Sequence, residues 1–315
     1  MLYRKFGRTN LQVSVLSMGT VSLGMDYGIE RPGDFGCPEE SLSIQLLQAA
    51  ADGGINLFDT APGYGKSETV LGKALGHRTE CLLATKVSVP RGAEGGILSG
   101  KVLWKLVENS LEHSRTALRR DALDIVQIHN ATEDLLKHNE VMDYLSEAKD
   151  KGIVRFLGAS VYTEPEAMAV IRDGRFDVLQ VAYNLLDQHM AEKVFPAANE
   201  SGMSLLTRSA LLKGVLTGKA KWLPQELQKL QASAERAKDL LSVSWEKLPE
   251  VALRFCASNP LVSSVLIGSR TIPELEAALS AMSDGPLSYD LLKKIESLAA
   301  LSDPTLLNPS NWSIA

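Results

Sequence analysis

Four ionisable residues lie at or just after the ends of short apolar runs in the first half of the chain. Asp59 ends INLFD, and Tyr64 follows it by five residues. Lys86 ends CLLATK, and His129 ends LDIVQIH. Three of them have a structural explanation when taken alone: Asp59 as a turn residue or helix cap, Lys86 as a solvated strand end and His129 as a core histidine. Four such groups in register at successive strand ends predict a catalytic site instead.

This combination of side chains suits the delivery of a proton to an oxygen that becomes negatively charged. A free tyrosine has a pKa of about 10, which is too high for easy proton exchange near neutral pH. A lysine ammonium within about 4–6 Å favours the phenolate and lowers that pKa. An adjacent carboxylate keeps the lysine charged and oriented, and a neighbouring histidine can hold a carbonyl oxygen in place.

Eight short apolar runs, most of them followed by a turn and a longer amphipathic stretch, recur along the chain. Each run has five to seven residues rich in Leu or β-branched side chains, which is typical of strands buried on both faces. The runs are VSVLSMG (13–19), INLFD (55–59), CLLATK (81–86), LDIVQIH (123–129), VRFLGAS (154–160), DVLQVAY (177–183), MSLLT (203–207) and SVLIGS (264–269).

Helical signals lie between these runs. The stretch 38–54 opens with Pro38 and Glu39 and closes on Gly53, a start and a stop in the expected order. The stretch 101–120 carries apolar residues at helical spacing. The stretch 271–282 begins with Thr271, which we expect to be its N-cap.

Eight strands that alternate with helices predict parallel pairing, and eight is the number that closes a (β/α)8 TIM barrel. One such domain spanning residues 1–315 uses the whole chain, although length alone also allows two domains. A doubly wound sheet is the alternative, but no G-x-G-x-x-G follows the first run. The opening LYRKFGRTNLQVS predicts a β-hairpin that turns at residues 7–10 and caps one end of the barrel.

Two long Gly/Pro-rich connections, residues 26–40 and 87–100, follow the first and third runs. Both lie on the C-terminal side of a strand, where the active sites of such barrels are built. We expect them to shape the site, with decorative insertions as the alternative. The tail around Trp312 either reaches over the same rim or frays.

The composition argues against several functional classes. A net charge of −5 and a pI of about 5.7 disfavour a general binder of nucleic acid or anionic membranes. No run approaches the ~18 apolar residues of a membrane span, and the first residues have no signal-peptide core. Three cysteines without C-x-x-C spacing favour a reducing cytoplasm over a disulfide framework. We also predict no metal site, because no metal-ligand spacing is present.

The segment GINLFDTAPGYGKSETVLGKAL resembles the signature of the aldo-keto reductase family. LATK, IVQIHN, IVRFLGAS, LQVAYNLLD, LLKGVLTGK and LIGSRTIPELEAAL resemble further segments in the family's order, so that the likeness runs from about residue 3 to about residue 300. The resemblance implies a (β/α)8 barrel, in agreement with the strand count. It also implies an oxidoreductase that needs no metal and takes its hydride from NADPH, with NADH as the second option.

By this resemblance, Tyr64 is the general acid in reduction and the general base in oxidation. Lys86 tunes its pKa, Asp59 pairs with Lys86, and His129 orients the substrate carbonyl. The positions that the resemblance assigns to cofactor binding are Thr20, Asp59, Ser160, Gln180, Arg208, Ser209, Leu211, Lys213, Gly218, Lys219, Gly268, Ser269, Arg270 and Glu274.

Within that set, the resemblance gives each group a part of the dinucleotide. Ser160 and Gln180 hold the nicotinamide carboxamide, and the segment 209–219 contains the loop along the pyrophosphate. Residues 268–270 grip the adenosine phosphate, where the planar fork of Arg270 suits a 2′-phosphate.

The chain departs from the family pattern at three of these places. Val161 stands where an Asn commonly contacts the nicotinamide, and Arg208 stands where an aromatic ring commonly stacks on it. Arg208 either biases the reaction toward reduction, turns toward an anionic substrate or stacks passively. Glu274 stands where some relatives carry an Arg, and its charge would repel a 2′-phosphate.

The sequence thus predicts a cytoplasmic NADPH-dependent enzyme that reduces an aldehyde or ketone, such as a sugar or a small keto compound. The expected partner is a small carbonyl substrate, without nucleic acid or membrane, and a monomer is the default. Two alternatives stay open. One is a nicotinamide-binding redox sensor or regulatory subunit with slow turnover. The other is a barrel lyase that uses a metal or a Schiff base, with Lys86 as the amine.

Overall fold

The computed structural model describes residues 1–92, 95–296, 298, 304–312 and 314. The strands are β1 (Tyr3–Lys5), β2 (Gln12–Ser14), β3 (Leu16–Gly19), β4 (Leu57–Asp59), β5 (Leu82–Ser88), β6 (Leu123–His129), β7 (Val154–Ser160), β8 (Val178–Ala182), β9 (Ser204–Arg208) and β10 (Ser264–Ile267). The helices are α1 (Glu40–Asp52), α2 (Ser67–Leu75), α3 (Gly100–Leu118), α4 (Glu133–Lys137), α5 (Glu140–Asp150), α6 (Glu164–Asp173), α7 (Met190–Glu200), α8 (Gln228–Leu241), α9 (Leu248–Ser258), α10 (Ile272–Ser283), α11 (Tyr289–Glu296) and α12 (Pro304–Leu307).

Strands β3 to β10 form a closed barrel in which every neighbouring pair is parallel. The order around it is β10-β3-β4-β5-β6-β7-β8-β9, and the pairing of Val265 with Leu16 closes the ring. At least one helix follows each of these strands along the chain. The predicted (β/α)8 barrel is confirmed, and the doubly wound sheet is wrong.

The N-terminal hairpin is also confirmed, as the antiparallel pair β1 and β2, with Asn10 in the left-handed region at the turn (φ 61°). The single strand predicted over 13–19 is wrong, because the chain divides it into β2 and β3. At the break, the Ser14 hydroxyl donates to the Leu16 carbonyl oxygen at 2.6 Å. The Ser14 N–H donates to Asn56 Oδ1 at 2.8 Å. These bonds satisfy the backbone where the chain leaves the hairpin and enters the barrel.

The hairpin closes the N-terminal end of the barrel. Phe6 and Val13 are fully buried there and belong to one apolar cluster with strand residues such as Leu57 and Ile125. A larger cluster fills the space between the strands and the surrounding helices. Apolar packing closes the N-terminal end of the barrel. The open end is therefore the one at the C-terminal ends of the strands.

The remaining strand boundaries differ from the prediction by at most two residues. β6 and β7 have the predicted bounds, whereas β5 continues to Ser88. Lys86 therefore lies inside β5, where its side chain faces a buried environment, and does not end the strand as expected.

The three predicted helices are α1, α3 and α10. α1 begins at Glu40, so that Pro38 and Glu39 precede it and do not open it as predicted. In α10, the Thr271 hydroxyl oxygen accepts the Glu274 N–H at 3.3 Å, which confirms the expected N-cap. Within the described residues, no helix has the length and apolar character needed to cross a membrane.

Both long connections lie at the open end of the barrel, after β3 and after β5. Residues 93 and 94 of the second one lie outside the described residues. In the tail, Trp312 is buried, and the Ile314 carbonyl oxygen accepts the Lys213 ammonium at 3.0 Å. The described part of the tail therefore reaches the loop after β9 and packs there.

Candidate active site

Neighbouring strands bring the predicted catalytic side chains together at the open end of the barrel. Asp59 ends β4, Lys86 lies in the adjacent β5, and His129 ends β6. Lys86 Nζ is 2.6 Å from Asp59 Oδ2, and the two side chains are 1% and 6% exposed. Burial of an ion pair is costly unless further hydrogen bonds satisfy its polar atoms.

The Asp59–Lys86 pair has those hydrogen bonds. Asp59 Oδ1 accepts from Gln127 Nε2 at 2.8 Å and from Gln180 Nε2 at 2.9 Å. Lys86 Nζ also donates to the Thr60 carbonyl oxygen at 2.8 Å. The carboxylate is therefore held by three side-chain donors, and it orients the ammonium as the sequence predicts.

Tyr64, in the loop after β4, lies beside the Asp59–Lys86 pair. The Tyr64 ring meets the His129 ring edge to face, with centroids 5.8 Å apart and planes at 88°. Lys86 Nζ is 4.9 Å from the Tyr64 ring centroid. The loop also packs on the β3–α1 connection, where a Cβ at Gly24 would lie 2.0 Å from the Tyr64 carbonyl oxygen. Only glycine permits this approach.

Burial controls the protonation of Tyr64. It raises the pKa of Tyr64, while the charge of Lys86 and a hydrogen bond from it act in the opposite direction. Lys86 thus acts to lower the pKa of Tyr64, as expected, but burial outweighs this effect. Burial also acts to lower the pKa of Lys86, but Asp59 and Tyr64 outweigh it and raise that pKa. Near neutral pH the site holds a protonated phenol beside a charged ammonium.

His129 is neutral at physiological pH. Burial and the positive charges of Lys86 and Arg208 lower its pKa to about 4. Its Nδ1 lies 3.3 Å from the Ser88 hydroxyl. A neutral imidazole can donate one hydrogen bond to a carbonyl oxygen without itself titrating.

Two of the predicted cofactor-binding residues, Thr20 and Gln180, bond Asp59, and a third, Ser160, pairs with Gln180. Thr20 Oγ1 donates to the Asp59 backbone oxygen at 3.0 Å, and Gln180 bonds the Asp59 side chain as described above. Ser160 ends β7 next to Gln180 of β8, in direct register, and both are buried. The structure thus brings Thr20, Ser160 and Gln180 to the catalytic cluster.

Arg208 spans the rim between the ends of β9 and β7. Its guanidinium stacks on the Tyr162 ring at 4.2 Å and donates to the Val161 carbonyl oxygen at 2.9 Å. It also lies 3.4 Å from the Ser209 hydroxyl. Arg208 is therefore a fixed cation at the open end, with one face taken by a tyrosine.

The loop after β9 has an unusual backbone. Ser209, Leu212 and Lys213 all have positive φ values of 60°, 45° and 56°. Leu211 precedes the tight turn, and Gly218 opens a further one, which includes Lys219 and begins at the Thr217 cap. Side chains with positive φ are uncommon and often mark functional loops.

Two of the residues predicted to bind the dinucleotide phosphates, Arg270 and Lys219, both contact Asp34, which was not predicted to be part of the site. Arg270 donates to both the carbonyl oxygen and the carboxylate of Asp34, and Lys219 Nζ lies 3.1 Å from Asp34 Oδ2. Gly268 and the buried Ser269 precede Arg270 in the same loop. Glu274 turns back to accept the Arg270 N–H at 2.7 Å.

Four residues of this end escaped the sequence analysis. Gln127 was detectable, since it lies two residues before His129 on the same face of β6. Tyr27, Tyr162 and Asp34 lie in connections, where no periodicity reveals their direction. Tyr27 contacts Lys213, 4.9 Å from its ring, and burial together with Tyr64 raises the pKa of Tyr27 to about 12.

A cavity of about 260 Å³ lies beside His129. Its lining residues are Ser88, Val89, Pro90, Arg91, Ile97, His129, Asn130, Thr132 and Leu135. The walls combine polar and apolar groups, and the cavity has room for a small molecule next to the catalytic cluster.

The donor set fits a nicotinamide dinucleotide. Arg270 and Lys219 are suited to phosphate oxygens. The Ser22 hydroxyl is buried and, among the residues described, has no hydrogen-bond partner. It lies 3.9 Å from the position that a Cβ at Gly268 would take. A phosphate oxygen bound next to Gly268 would satisfy that hydroxyl.

The chain is similar to known proteins over most of its length. The chain is 26% identical to aldo-keto reductase YhdN of Bacillus subtilis (strain 168), over 96% of each chain. It is 30% identical to a probable voltage-gated potassium channel subunit beta of Oryza sativa subsp. japonica, over 95% of this chain and 96% of the relative.

A solved structure has the same architecture. The holo form of aldo-keto reductase AKR11C1 from Bacillus halodurans superposes with a TM-score of 0.77 at 26% identity, over 95% of this chain and 96% of that one. The family model for the Aldo/keto reductase family matches residues 15–300. The chain therefore belongs to the aldo/keto reductase family, and it is an NAD(P)H-dependent oxidoreductase that acts on small carbonyl compounds.

Proposed function

We propose that this protein reduces an aldehyde or ketone, such as a sugar or a small keto compound, to the alcohol. NADPH is the proposed hydride donor and Tyr64 the proposed proton donor. The observation that carries the proposal is the buried Asp59–Lys86 pair in contact with Tyr64, next to a cavity bounded by His129. We further propose that residues 1–315 act as one domain, with the catalytic cluster at its open end.

A nicotinamide dinucleotide, when bound, supplies the hydride. Tyr64 has to give its proton to the oxygen that becomes negative, and its raised pKa keeps that proton available near neutral pH. The phenolate that then remains would be stabilised by the Lys86 ammonium. Asp59 holds the ammonium in place through the 2.6 Å contact.

His129 is proposed to position the substrate. As a neutral imidazole next to the Tyr64 ring, it can donate a hydrogen bond to the carbonyl oxygen that Tyr64 protonates. Two donors on one oxygen would stabilise the charge that develops on it. The cavity next to His129 supports a small substrate.

Gln180 and Ser160 are proposed to hold the nicotinamide carboxamide. Gln180 gives its amide N–H to Asp59, and an amide oxygen also accepts hydrogen bonds. That oxygen is the atom available for the carboxamide. Arg208 supports the reductive direction, because a fixed positive charge near the ring disfavours its oxidised, cationic form.

The preference for NADPH rests on the adenosine end. Arg270 and Lys219 place two cations within reach of the same carboxylate, and a 2′-phosphate would bind where that carboxylate lies. Ser209, Leu211, Lys213, Gly218, Gly268 and Ser269 are proposed to line the path between the two ends.

The first test is a titration of the purified protein with NADPH and NADH, followed by quenching of tryptophan fluorescence. We expect saturation at micromolar NADPH, weaker binding of NADH and turnover with members of an aldehyde and ketone panel. Binding of neither dinucleotide would overturn the proposal.

A regulatory role is the second candidate, and the likeness to the rice channel subunit favours it. A nicotinamide-binding regulator would bind the dinucleotide as tightly but turn over slowly with every carbonyl compound. The turnover number over the same panel therefore separates the two. Values near 1 s⁻¹ or above, within the usual enzyme range of about 1–10³ s⁻¹, support the enzyme.

A further inference from the structure

The carboxylate of Asp34 lies between two side chains proposed to bind the adenosine phosphate. Arg270 donates one nitrogen to both the carboxylate and the carbonyl oxygen of Asp34, the latter at 3.0 Å. Lys219 Nζ lies 3.1 Å from the other carboxylate oxygen. Arg270 also donates to the Gly36 carbonyl oxygen at 3.3 Å. Its guanidinium therefore contacts both Asp34 and Gly36 of this connection.

These contacts are shielded from solvent, which strengthens them. The Arg270 and Lys219 side chains are 12% and 19% exposed, and Asp34 is 35% exposed. Charge-assisted hydrogen bonds of this kind are roughly twice as strong as neutral ones. A carboxylate and a phosphate offer similar oxygen acceptors to a guanidinium fork, so Asp34 and a 2′-phosphate compete for the same cations.

The position of Asp34 in the chain allows such competition. Residues 24–39 form neither helix nor strand, and they belong to the β3–α1 connection at the open end. The Asp34 side chain can therefore leave Arg270 without breaking an element. Lys219 belongs to the loop after β9 and Arg270 to the loop after β10, so that three separate loops meet on this one acid.

We propose that Asp34 is a specificity-determining residue for the cofactor. It occupies the place of the 2′-phosphate, so that NADPH has to displace its carboxylate before it binds. NADH can leave Asp34 in place, because a ribose 2′-hydroxyl can donate a hydrogen bond to an acid. Asp34 thus offsets part of the preference for NADPH that Arg270 and Lys219 provide. The inference rests on the proposed function, which puts the adenosine end at Arg270.

The test compares the Kd values of NADPH and NADH, measured by fluorescence quenching, in the wild type and in Asp34→Asn. The variant removes the competing charge but keeps the size of the side chain. We expect NADPH to bind about tenfold more tightly, as the loss of one charge-assisted competitor predicts. NADH binding should stay unchanged or weaken, because its hydroxyl loses a charged acceptor.

Three further variants separate this effect from a general change in charge or loop structure. Glu30→Gln removes a negative charge from an exposed position of the same connection and should leave the ratio of the two Kd values within twofold. Asp34→Glu keeps the charge and should retain a ratio close to that of the wild type. In an Arg270→Ala background, Asp34→Asn should improve NADPH binding by less than it does in the wild type, because only the competition for Lys219 is left.

An unchanged ratio in Asp34→Asn, in a protein that binds both dinucleotides, would overturn the role of Asp34 and leave the proposed function intact. An equal shift in Glu30→Gln would also overturn it, since total charge would then explain the change. Failure of the wild type to bind either dinucleotide is a different result, which removes the proposed function itself.

Discussion

At the scale of single residues, the site depends on which groups carry a proton. Tyr64 is protonated near neutral pH because it is buried, and His129 is neutral for the same reason. Lys86 stays charged despite complete burial because Asp59 is 2.6 Å away. The site therefore combines one buried ion pair with two neutral groups, of which His129 lines the cavity.

The Tyr64→Phe variant tests the proton donor directly. Loss of the hydroxyl should reduce turnover by about 10²–10⁴-fold, the usual contribution of a positioned general acid. The ring stays, so the Kd of NADPH should change less than twofold. Turnover is measured with the best substrate of the carbonyl panel, and Tyr289→Phe, at an exposed position, is the matched control. Survival of activity within about threefold would show that another group donates the proton.

The lowered pKa of His129 predicts a dependence of stability on pH. In the unfolded chain a histidine binds its proton below about pH 6.5, whereas His129 in the folded chain does so only below about 4. Between these values the unfolded state binds more protons, so stability falls as the pH falls from about 6.5 to 4. The full effect is about 3 kcal/mol in the free energy of unfolding.

Urea unfolding at pH 7.5, 5.5 and 4.5 measures this effect. The His129→Gln variant should lose less stability than the wild type over that range, since glutamine does not titrate. His77→Gln, at an exposed position, should follow the wild type. Parallel curves for the wild type and His129→Gln would contradict the burial-driven shift.

At the scale of elements, the site is built where the β3–α1 connection packs on the loop after β4. The Lys66 N–H donates to the Gly24 carbonyl oxygen at 3.2 Å, and a Cβ at Gly24 would also lie 2.5 Å from the Ser67 nitrogen. The backbone of one loop thus sets the position of Tyr64 in the other. Contacts between the two backbones therefore help to position Tyr64, in addition to the contacts of its own side chain.

The Gly24→Ala variant should therefore move Tyr64 without changing any catalytic group. We expect a loss of about 1–3 kcal/mol in the free energy of unfolding from overpacking. Turnover should fall by up to about 10²-fold, the effect of a displacement of about 1 Å. Gly63→Ala is the control, because a Cβ at Gly63 meets nothing within 4 Å. Equal turnover in the two variants would show that the contact does not position Tyr64.

How far the sequence predicts these elements depends on the range of the interactions. β6 and β7 were predictable to the residue, since apolar runs and polar ends mark them locally. The break at Ser14 was not, because it depends on a hydrogen bond to Asn56, 42 residues away. Asp34 escaped for the same reason, since it meets Lys219 and Arg270 at separations of 185 and 236 residues.

At the scale of the whole molecule, one end of the barrel contributes stability and the other carries the site. The N-terminal end holds the hairpin and its apolar cluster, and the catalytic groups lie at the other end. The apolar packing at the N-terminal end should contribute to stability but not to cofactor binding. This division is testable, because it predicts that a substitution at the hairpin end lowers stability and leaves cofactor binding unchanged.

Phe6→Ala is the substitution that separates these two properties. Phe6 is fully buried beneath the barrel, and truncation of such a ring costs about 3–5 kcal/mol in the free energy of unfolding. At 25 °C, where the variant is still folded, the Kd of NADPH should stay within twofold of the wild-type value. Leu2→Ala in the same N-terminal segment, where Leu2 is 58% exposed, should change stability by less than about 0.5 kcal/mol. A large change in Kd for Phe6→Ala would mean that the hairpin end is coupled to the site through the barrel.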